Sequence, residues 1–140
     1  MRVAPRVLLA EDDDDVREAL AEGLRQEGNE VVEVSDGDGV RSYIEDCVIS
    51  DVVCPRVHVL VTDLRMPGMN GLNLLSYIQS LGWDLPTVVI TAFGDQETRR
   101  LAQKFGAHAI LDKPIELDVL QHAVRSALGN ALITTAGQPS

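Results

Sequence analysis

One stretch of the sequence decides the fold: Val57-His58-Val59-Leu60-Val61-Thr62-Asp63-Leu64-Arg65-Met66-Pro67-Gly68-Met69-Asn70-Gly71. Its β-branched run is apolar at both odd and even positions, which is typical of a parallel strand covered on both faces. The run ends at Asp63, and a Pro-Gly turn and helical spacing follow. Asp is common in such turns, but the carboxyl end of a buried strand is also where open α/β sheets bind ligands. We therefore treat Asp63 as a candidate site residue.

Four other short apolar runs predict strands, and each is followed by helical spacing; they cover residues 7–10, 31–34, 86–91 and 109–111. The second has polar neighbours, which indicates a sheet edge. Five alternations of strand and helix predict an α/β fold with a doubly wound, five-stranded parallel sheet and helices on both faces.

Apolar stripes at helical spacing predict which side chains face the sheet. They are Val16, Ala19, Leu20 and Leu24; Val40, Tyr43, Ile44, Cys47 and Val48; Leu72, Leu75, Ile78 and Leu81; Leu101, Ala102 and Phe105; and Leu117, Leu120, Val124, Ala127 and Leu128. Residues 49–56 are predicted to form a loop. We predict one domain over residues 6–128 and a flexible C-terminal tail over 129–140, since the end of the chain has little periodicity.

Composition excludes several classes of protein. The 140 residues suffice for one domain with a full core. No apolar run approaches the roughly 18 residues of a membrane span, and no signal segment precedes the first strand, so we expect a cytoplasmic protein without membrane contact. The net charge of −10 argues against nucleic-acid binding by this chain. Cys47 and Cys54 lack zinc-site spacing, and Cys47 falls on an apolar helix face, so we predict a buried thiol.

Polar and charged residues follow four of the five predicted strands: Glu11 and Asp12, then Asp63, Thr91 and Lys113. Capping of the next helix explains the later acids of the run at 11–15, but not the first two. Carboxylates brought together here would repel by roughly 4 kcal/mol per pair at about 4 Å and an effective dielectric near 20. A hard divalent cation with oxygen ligands relieves that repulsion, and Mg²⁺ is the best candidate.

The remaining strand-end residues suit a phosphoryl group. Lys113 adds a compact positive charge that can pair with Asp63 at rest and with a phosphoryl oxygen later. Thr91 offers a hydroxyl to a second phosphoryl oxygen, and the small Ala92 leaves room for the group to enter.

The acidic pair, the TDLRMPGMNG segment, the Thr-Ala pair and the Lys-Pro pair, in this order, resemble the receiver domain of two-component response regulators. The resemblance spans about residues 6 to 128 and implies a flavodoxin-like (βα)5 fold with strand order 2-1-3-4-5. It implies that Asp63 accepts a phosphoryl group from a sensor histidine kinase or phosphotransfer protein, assisted by Lys113 and Thr91. It also implies Mg²⁺ ligation by Asp12, Asp63 and the Arg65 backbone carbonyl, with Glu11 acting largely through water.

The same resemblance implies a switch and a set of partners. Thr91 would move toward the phosphoryl group with Ala92 and the loop behind it, and remodel the face made by the fourth helix, fifth strand and fifth helix. That face would bind a downstream protein, an appended effector domain or a second, phosphorylated copy. The chain would catalyse only its own phosphorylation and dephosphorylation. Ile110 stands where the family usually has Tyr or Phe, so we expect it to remain passive core.

Three other interpretations share parts of this pattern. A receiver-like interaction module would lack phosphorylation, although every acceptor position is filled here. A Mg²⁺-dependent aspartyl-phosphate hydrolase would resemble its class in a second acid two residues after the nucleophile, where this chain has Arg65. A flavin carrier of the same fold would need a phosphate-binding loop after the first strand, where five acids stand instead.

Overall fold

A computed structural model of the protein describes residues 4–49, 57–66, 68–92 and 96–137. For residues 48–49 and 130–137 it describes the backbone alone. Five strands alternate with five helices within these residues. The strands are β1 (Arg6–Ala10), β2 (Glu30–Val34), β3 (Val59–Asp63), β4 (Thr87–Thr91) and β5 (Ala109–Asp112). The helices are α1 (Asp14–Gln26), α2 (Gly37–Ile49), α3 (Gly71–Ser80), α4 (Gln96–Lys104) and α5 (Leu117–Gly137).

The strands form one parallel sheet in the order β2-β1-β3-β4-β5, which confirms the predicted fold class. β3 lies at the centre, where Leu60 pairs with Leu8 of β1 on one side and with Thr87 of β4 on the other. All five residues of β3 are buried. The prediction of a strand covered on both faces is therefore confirmed, and the strand delivers Asp63 to the carboxyl edge of the sheet.

Alternate residues of the strands enter two different core layers. The layer under α1 and α5 takes Val7, Leu9, Val59 and Val61, together with apolar side chains from both helices. The opposite layer takes Leu8, Ala10 and Leu60, packed with residues of α2 and α3. A third, smaller cluster joins α3 and α4 at the β4 side of the sheet. Each fully buried Leu or Val contributes about 1.5–3 kcal/mol relative to an exposed one, so the sheet is fixed from both faces.

Local signals set the ends of the helices. The Asp13 side chain accepts a hydrogen bond from the Val16 amide and caps α1, and Asn70 caps α3 in the same way through the Asn73 amide. After α4 the chain turns at Gly106, where φ is +91° and a side chain would be strained.

Two of the larger predicted inward side chains are corrected by the structure. Val16 and Leu117 are 38% and 36% exposed, near the starts of α1 and α5. In α3 the predicted stripe is confirmed, because Leu75 and Ile78 are buried and Leu72 and Leu81 pack against core clusters. Leu74, which the stripe did not include, is fully buried as well.

The cysteine prediction is wrong. Cys47 is disulfide-bonded and half-buried in the structure, where the sequence predicted a buried thiol. The other cysteine of the sequence, Cys54, lies outside the described residues, as does most of the predicted loop at 49–56. Spacing along the chain carries no information on the distance between Cα atoms that a disulfide requires, so the disulfide could not be predicted from the sequence.

The last helix is longer than the sequence predicted. α5 continues to Gly137, so the backbone of 129–137 is helical rather than irregular. Residues 130–136 contain no Gly or Pro, and adding a residue to a formed helix is far easier than starting one. The predicted flexibility of this segment is a separate property and stays a prediction. No helix within the described ranges has the length and apolar character needed to cross a bilayer.

Candidate functional site

Three carboxylates meet at the carboxyl edge of the sheet. Glu11 follows β1 directly, Asp12 follows Glu11, and Asp63 ends β3. One carboxylate oxygen from each lies within 4.8 Å of the others. Glu11 and Asp63 are 2% and 3% exposed, whereas Asp12 is exposed. The predicted acidic cluster thus forms because β1 and β3 are neighbours and parallel, with two acids held in the protein and one open to water.

Lys113 is the cation that contacts this cluster. Its Nζ forms an ion pair with Asp63 Oδ2 and lies 3.4 Å from Glu11 Oε1. The side chain is 34% exposed, so it reaches the acids from the rim of the site. The predicted resting pair between Lys113 and Asp63 is present, and Lys113 also approaches Glu11.

Burial and neighbouring charges shift the pKa values of Glu11 and Lys113. The pKa of Glu11 is raised from its ordinary 4.5 to about 7, chiefly by burial and then by the hydrogen bond and charge of Asp63, which together outweigh the lowering by Lys113. For Lys113, burial lowers the pKa, but the hydrogen bond and charge of Asp63 outweigh it, so the net pKa is raised. The lysine therefore stays charged, while the carboxylates hold more negative charge than one lysine offsets.

These residues fit a hard divalent cation. The ligand atoms would be carboxylate oxygens, which Mg²⁺ prefers, and the exposed Asp12 leaves room for the waters that this ion retains.

The other predicted site residues surround Asp63. The Arg65 amide donates to Asp63 Oδ1 over 3.1 Å, which bends the chain after β3 around the carboxylate, while the Arg65 side chain is exposed. Thr91 is buried at the end of β4, and its backbone carbonyl accepts from the Lys113 amide over 2.8 Å. The structure therefore brings the ends of β3, β4 and β5 together at one edge.

Ala92 and Ile110 are the predicted auxiliary residues after β4 and on β5. Ala92 is exposed directly after Thr91. Ile110 is half-buried on β5 and packs against the cluster of Leu64, Leu75, Val89 and Ala102. Residues 93–95, which follow Ala92, lie outside the described part of the chain.

Sequence reasoning missed Arg17. Its Nη1 donates to the Glu11 carbonyl over 2.8 Å, its Nη2 donates to Asp14 over 2.7 Å, and its Nε lies 3.6 Å from Glu33 of β2. The guanidinium, 17% exposed, fixes the backbone at the end of β1 to the first turn of α1. The spacing of one helical turn between Asp14 and Arg17 was the available signal.

A cavity of about 590 Å³ opens beside the acidic cluster. Glu11 and Lys113 line its polar end, and Val16, Ala19, Leu20, Pro114 and Ile115 line its apolar walls. The exposed Val16 at the start of α1 thus lines a groove beside the acidic cluster rather than the core.

Comparison with known proteins agrees with this geometry. The sequence matches the family described as the response regulator receiver domain over residues 7–125. It is 34% identical over 125 residues to the transcriptional regulatory protein FixJ of Azorhizobium caulinodans, covering 89% of this chain and 56% of that protein. A response regulator receiver domain protein from Clostridium thermocellum is 26% identical, with a TM-score of 0.80 and coverage of 93% and 98%. The signal receiver domain of a putative Luxo repressor protein from Vibrio parahaemolyticus is 24% identical, with a TM-score of 0.87 and coverage of 99% and 100%, and shows the fold alone.

The fold and the acidic edge define a regulatory module of the two-component class. The chain belongs to the receiver domains of two-component response regulators, since the family match covers most of it. It spans 56%, 25% and 31% of the first three curated relatives, which therefore carry further sequence beyond the matched part.

Proposed function

We propose that Asp63 is the phosphoacceptor of this receiver domain and takes its phosphoryl group from a phosphohistidine of a sensor histidine kinase or phosphotransfer protein. The observation that carries the proposal is the Asp63 carboxylate, buried at the end of β3, paired with Lys113 and within 4.8 Å of two further acids. A kinase of this kind acts in the cytoplasm, and we place the chain there with it.

The transfer requires an in-line attack by one Asp63 carboxylate oxygen on phosphorus. A new O–P bond forms as the P–N bond to the donor imidazole breaks, and its electron pair stays on the imidazole nitrogen, which then takes up a proton. The Arg65 amide holds Oδ1, so the carboxylate keeps its orientation during the attack. Lys113 pairs with Oδ2 at rest, so its Nζ is close enough to bind a phosphoryl oxygen once negative charge develops there.

Glu11, Asp12, Asp63 and the Arg65 backbone carbonyl would hold Mg²⁺, with Glu11 acting largely through water. When bound, the ion neutralises charge on the phosphoryl oxygens and on the acids that face them. Asp12 is exposed and can exchange water for the ion readily, whereas the buried Glu11 keeps its position through the hydrogen bond from the Asp12 amide to its Oε2, 2.9 Å long. This arrangement supports a site that loads from solvent.

Thr91 and Ala92 would connect the acceptor to an output surface. The Thr91 hydroxyl would bind a phosphoryl oxygen, and the exposed Ala92 leaves space beside it. The movement would reach α4, β5 and α5, with Ile110 remaining packed against its cluster. Possible receivers of the signal are a downstream protein, an appended effector domain or a second phosphorylated copy of the chain.

A phosphodonor must bind where its histidine can reach Asp63. The groove is lined by Lys113, which pairs with Asp63, and by Glu11 of the acidic cluster, so it opens beside the acceptor. Its apolar walls offer surface for a partner helix. We therefore propose that the donor docks against α1 and the segment after β5. In this proposal the chain transfers phosphoryl groups only to and from itself and is not an enzyme acting on other molecules.

Intact-mass spectrometry of the protein mixed with Mg²⁺ and acetyl phosphate tests the proposal. We expect one added phosphoryl group, lost in Asp63→Asn and after chelation of the metal. Asp15→Asn, an exposed acid on the first turn of α1, is the matched control and should be labelled normally. Undiminished labelling of Asp63→Asn would overturn the assignment, and no labelling of the wild-type protein by any donor would favour a receiver-like interaction module.

A further inference from the structure

The segment between β3 and α3, described at residues 64–66 and 68–70, approaches the first turn of α2 more closely than any side chain would permit. Gly37 is buried at the start of α2, and a Cβ placed on it would overlap the Met69 carbonyl oxygen and lie 2.6 Å from the carbonyl carbon. The opposing atoms belong to the backbone and cannot rotate away. Only glycine fits at Gly37 without a shift of the helix or of the segment.

A second contact joins the same two elements. Gly68 has φ of +78°, and a Cβ on it would lie 2.6 Å from Asp38 Oδ2, so the Asp38 carboxylate rests against the Gly68 backbone. The first turn of α2 is itself fixed, because the Gly39 amide donates to Asp36 Oδ1 over 2.6 Å. The capped start of α2 therefore contacts the segment at two points, through Gly37 at Met69 and through Asp38 at Gly68.

The other end of the segment is attached to Asp63. The Leu64 amide donates to the Ile90 carbonyl over 2.8 Å, and the Gly71 amide donates back to the Leu64 carbonyl over 2.9 Å. A Cβ on Gly71 would lie 2.9 Å from the Leu64 Cα and 3.2 Å from the Asp63 carbonyl oxygen. Arg65 lies inside this closed segment, directly after its anchor on β4.

We propose that Gly37 is a positioning residue for the metal site. Its missing side chain lets the segment close on α2, and this closure sets the Arg65 backbone carbonyl relative to the Asp63 carboxylate. The inference rests on the proposed function, because the Arg65 carbonyl matters only if the acidic cluster binds a divalent ion. Glu11 and Asp12 come from β1 and are independent of the closure, so the ion loses one ligand and keeps the others when the segment moves.

Gly37→Ala tests the inference through Mg²⁺ affinity, measured by isothermal titration calorimetry, alongside the free energy of unfolding measured in EDTA. Outer residues that orient a ligand typically change metal affinity by about 10- to 100-fold, and we expect the Kd for Mg²⁺ to rise by about tenfold or more. Gly39→Ala lies two residues along the same helix and is the matched control. The three atoms nearest to its Cβ would belong to Val34 and Asp36, at 3.1 to 3.5 Å, and none of them to the segment, so its Kd should stay within about twofold.

If Gly37→Ala does not fold, the Mg²⁺ affinities of Asp38→Ala and Asp38→Asn test the positioning role instead. Both remove the charge, but only Ala removes the contact with Gly68, so the Kd should rise further in Ala than in Asn. Wild-type Mg²⁺ affinity in a folded Gly37→Ala protein, or equal affinities in the two Asp38 variants, would overturn the positioning role. Absence of Mg²⁺ binding to the wild-type protein would instead overturn the proposed function.

Discussion

Lys113 is the residue on which the charge balance of the buried acids depends. It pairs with Asp63 and approaches Glu11, while the pKa of Glu11 stands at about 7 because burial and Asp63 both oppose its ionisation. Removing the lysine charge leaves two buried carboxylates without a cation unless a metal ion replaces it. Thr91 differs, since it is a neutral side chain at the end of a neighbouring strand.

Lys113→Ala and Thr91→Ala should therefore differ in phosphorylation. We expect Lys113→Ala to slow labelling of Asp63 by acetyl phosphate by about 10- to 1,000-fold, the scale of losing one charge-stabilising group. Thr91→Ala should be labelled at a rate within a few-fold of wild type and lose the conformational response, seen as unchanged NMR shifts of α4 after phosphorylation. Rates measured by intact mass at saturating Mg²⁺ check this, and equal loss of labelling in both variants would contradict it.

Among the secondary-structure elements, α1 determines which role each of the five acids at 11–15 has. Glu11 and Asp12 belong to the site, Asp13 caps the helix through the Val16 amide over 3.0 Å, and Asp14 pairs with Arg17. Asp15 is exposed on the first turn. The division follows from geometry, because the strand ends at Ala10 and the helix begins at Asp14, leaving one residue in cap position.

Asp13→Ala should destabilise the protein by about 1 kcal/mol, within the usual range of about 0.5–2 kcal/mol for loss of an N-cap. Asp15→Ala removes an equal charge from the same turn without a capping bond, and should cost a few tenths of a kcal/mol at most. Urea unfolding of both variants in EDTA, followed by circular dichroism, measures the difference. Equal destabilisation would mean that charge, rather than the capping hydrogen bond, supports the start of α1.

In the molecule as a whole, the buried acidic site lowers the free energy of unfolding of the domain. The sheet buries Glu11 and Asp63 at one edge, and the net charge of −10 adds general repulsion. A divalent ion that bound only the folded state would reverse part of that cost. We therefore expect metal binding and folding to be coupled in this domain.

Mg²⁺ at about 100 times its Kd should raise the free energy of unfolding by about 2.7 kcal/mol over the value in EDTA. Urea unfolding with and without the ion measures this increment. Asp12→Asn should lose much of it, whereas the exposed Asp15→Asn should keep it, because Asp15 is outside the acidic cluster. An undiminished increment in Asp12→Asn would place the stabilising ion elsewhere.

The sequence alone was enough to predict the alternation of strands and helices, the burial of β3 on both faces, and the meeting of Glu11, Asp12, Asp63 and Lys113. These follow from local rules: periodicity assigns the elements, and parallel strands place their carboxyl ends at one edge of a sheet. The Asp13 and Asn70 caps lie within a few residues of the amides they bind, so they too were within reach of sequence reasoning.

The contacts between distant segments could not be predicted from the sequence. Gly37 meets Met69, Arg17 reaches Glu33, and Lys113 reaches Glu11 as well as Asp63, and no local pattern encodes those distances. The exposure of Val16 and Leu117 depends on which elements cover the start of each helix, which periodicity does not report. The disulfide state of Cys47 depends on the path of the backbone, and the length of α5 on where helix propagation stops.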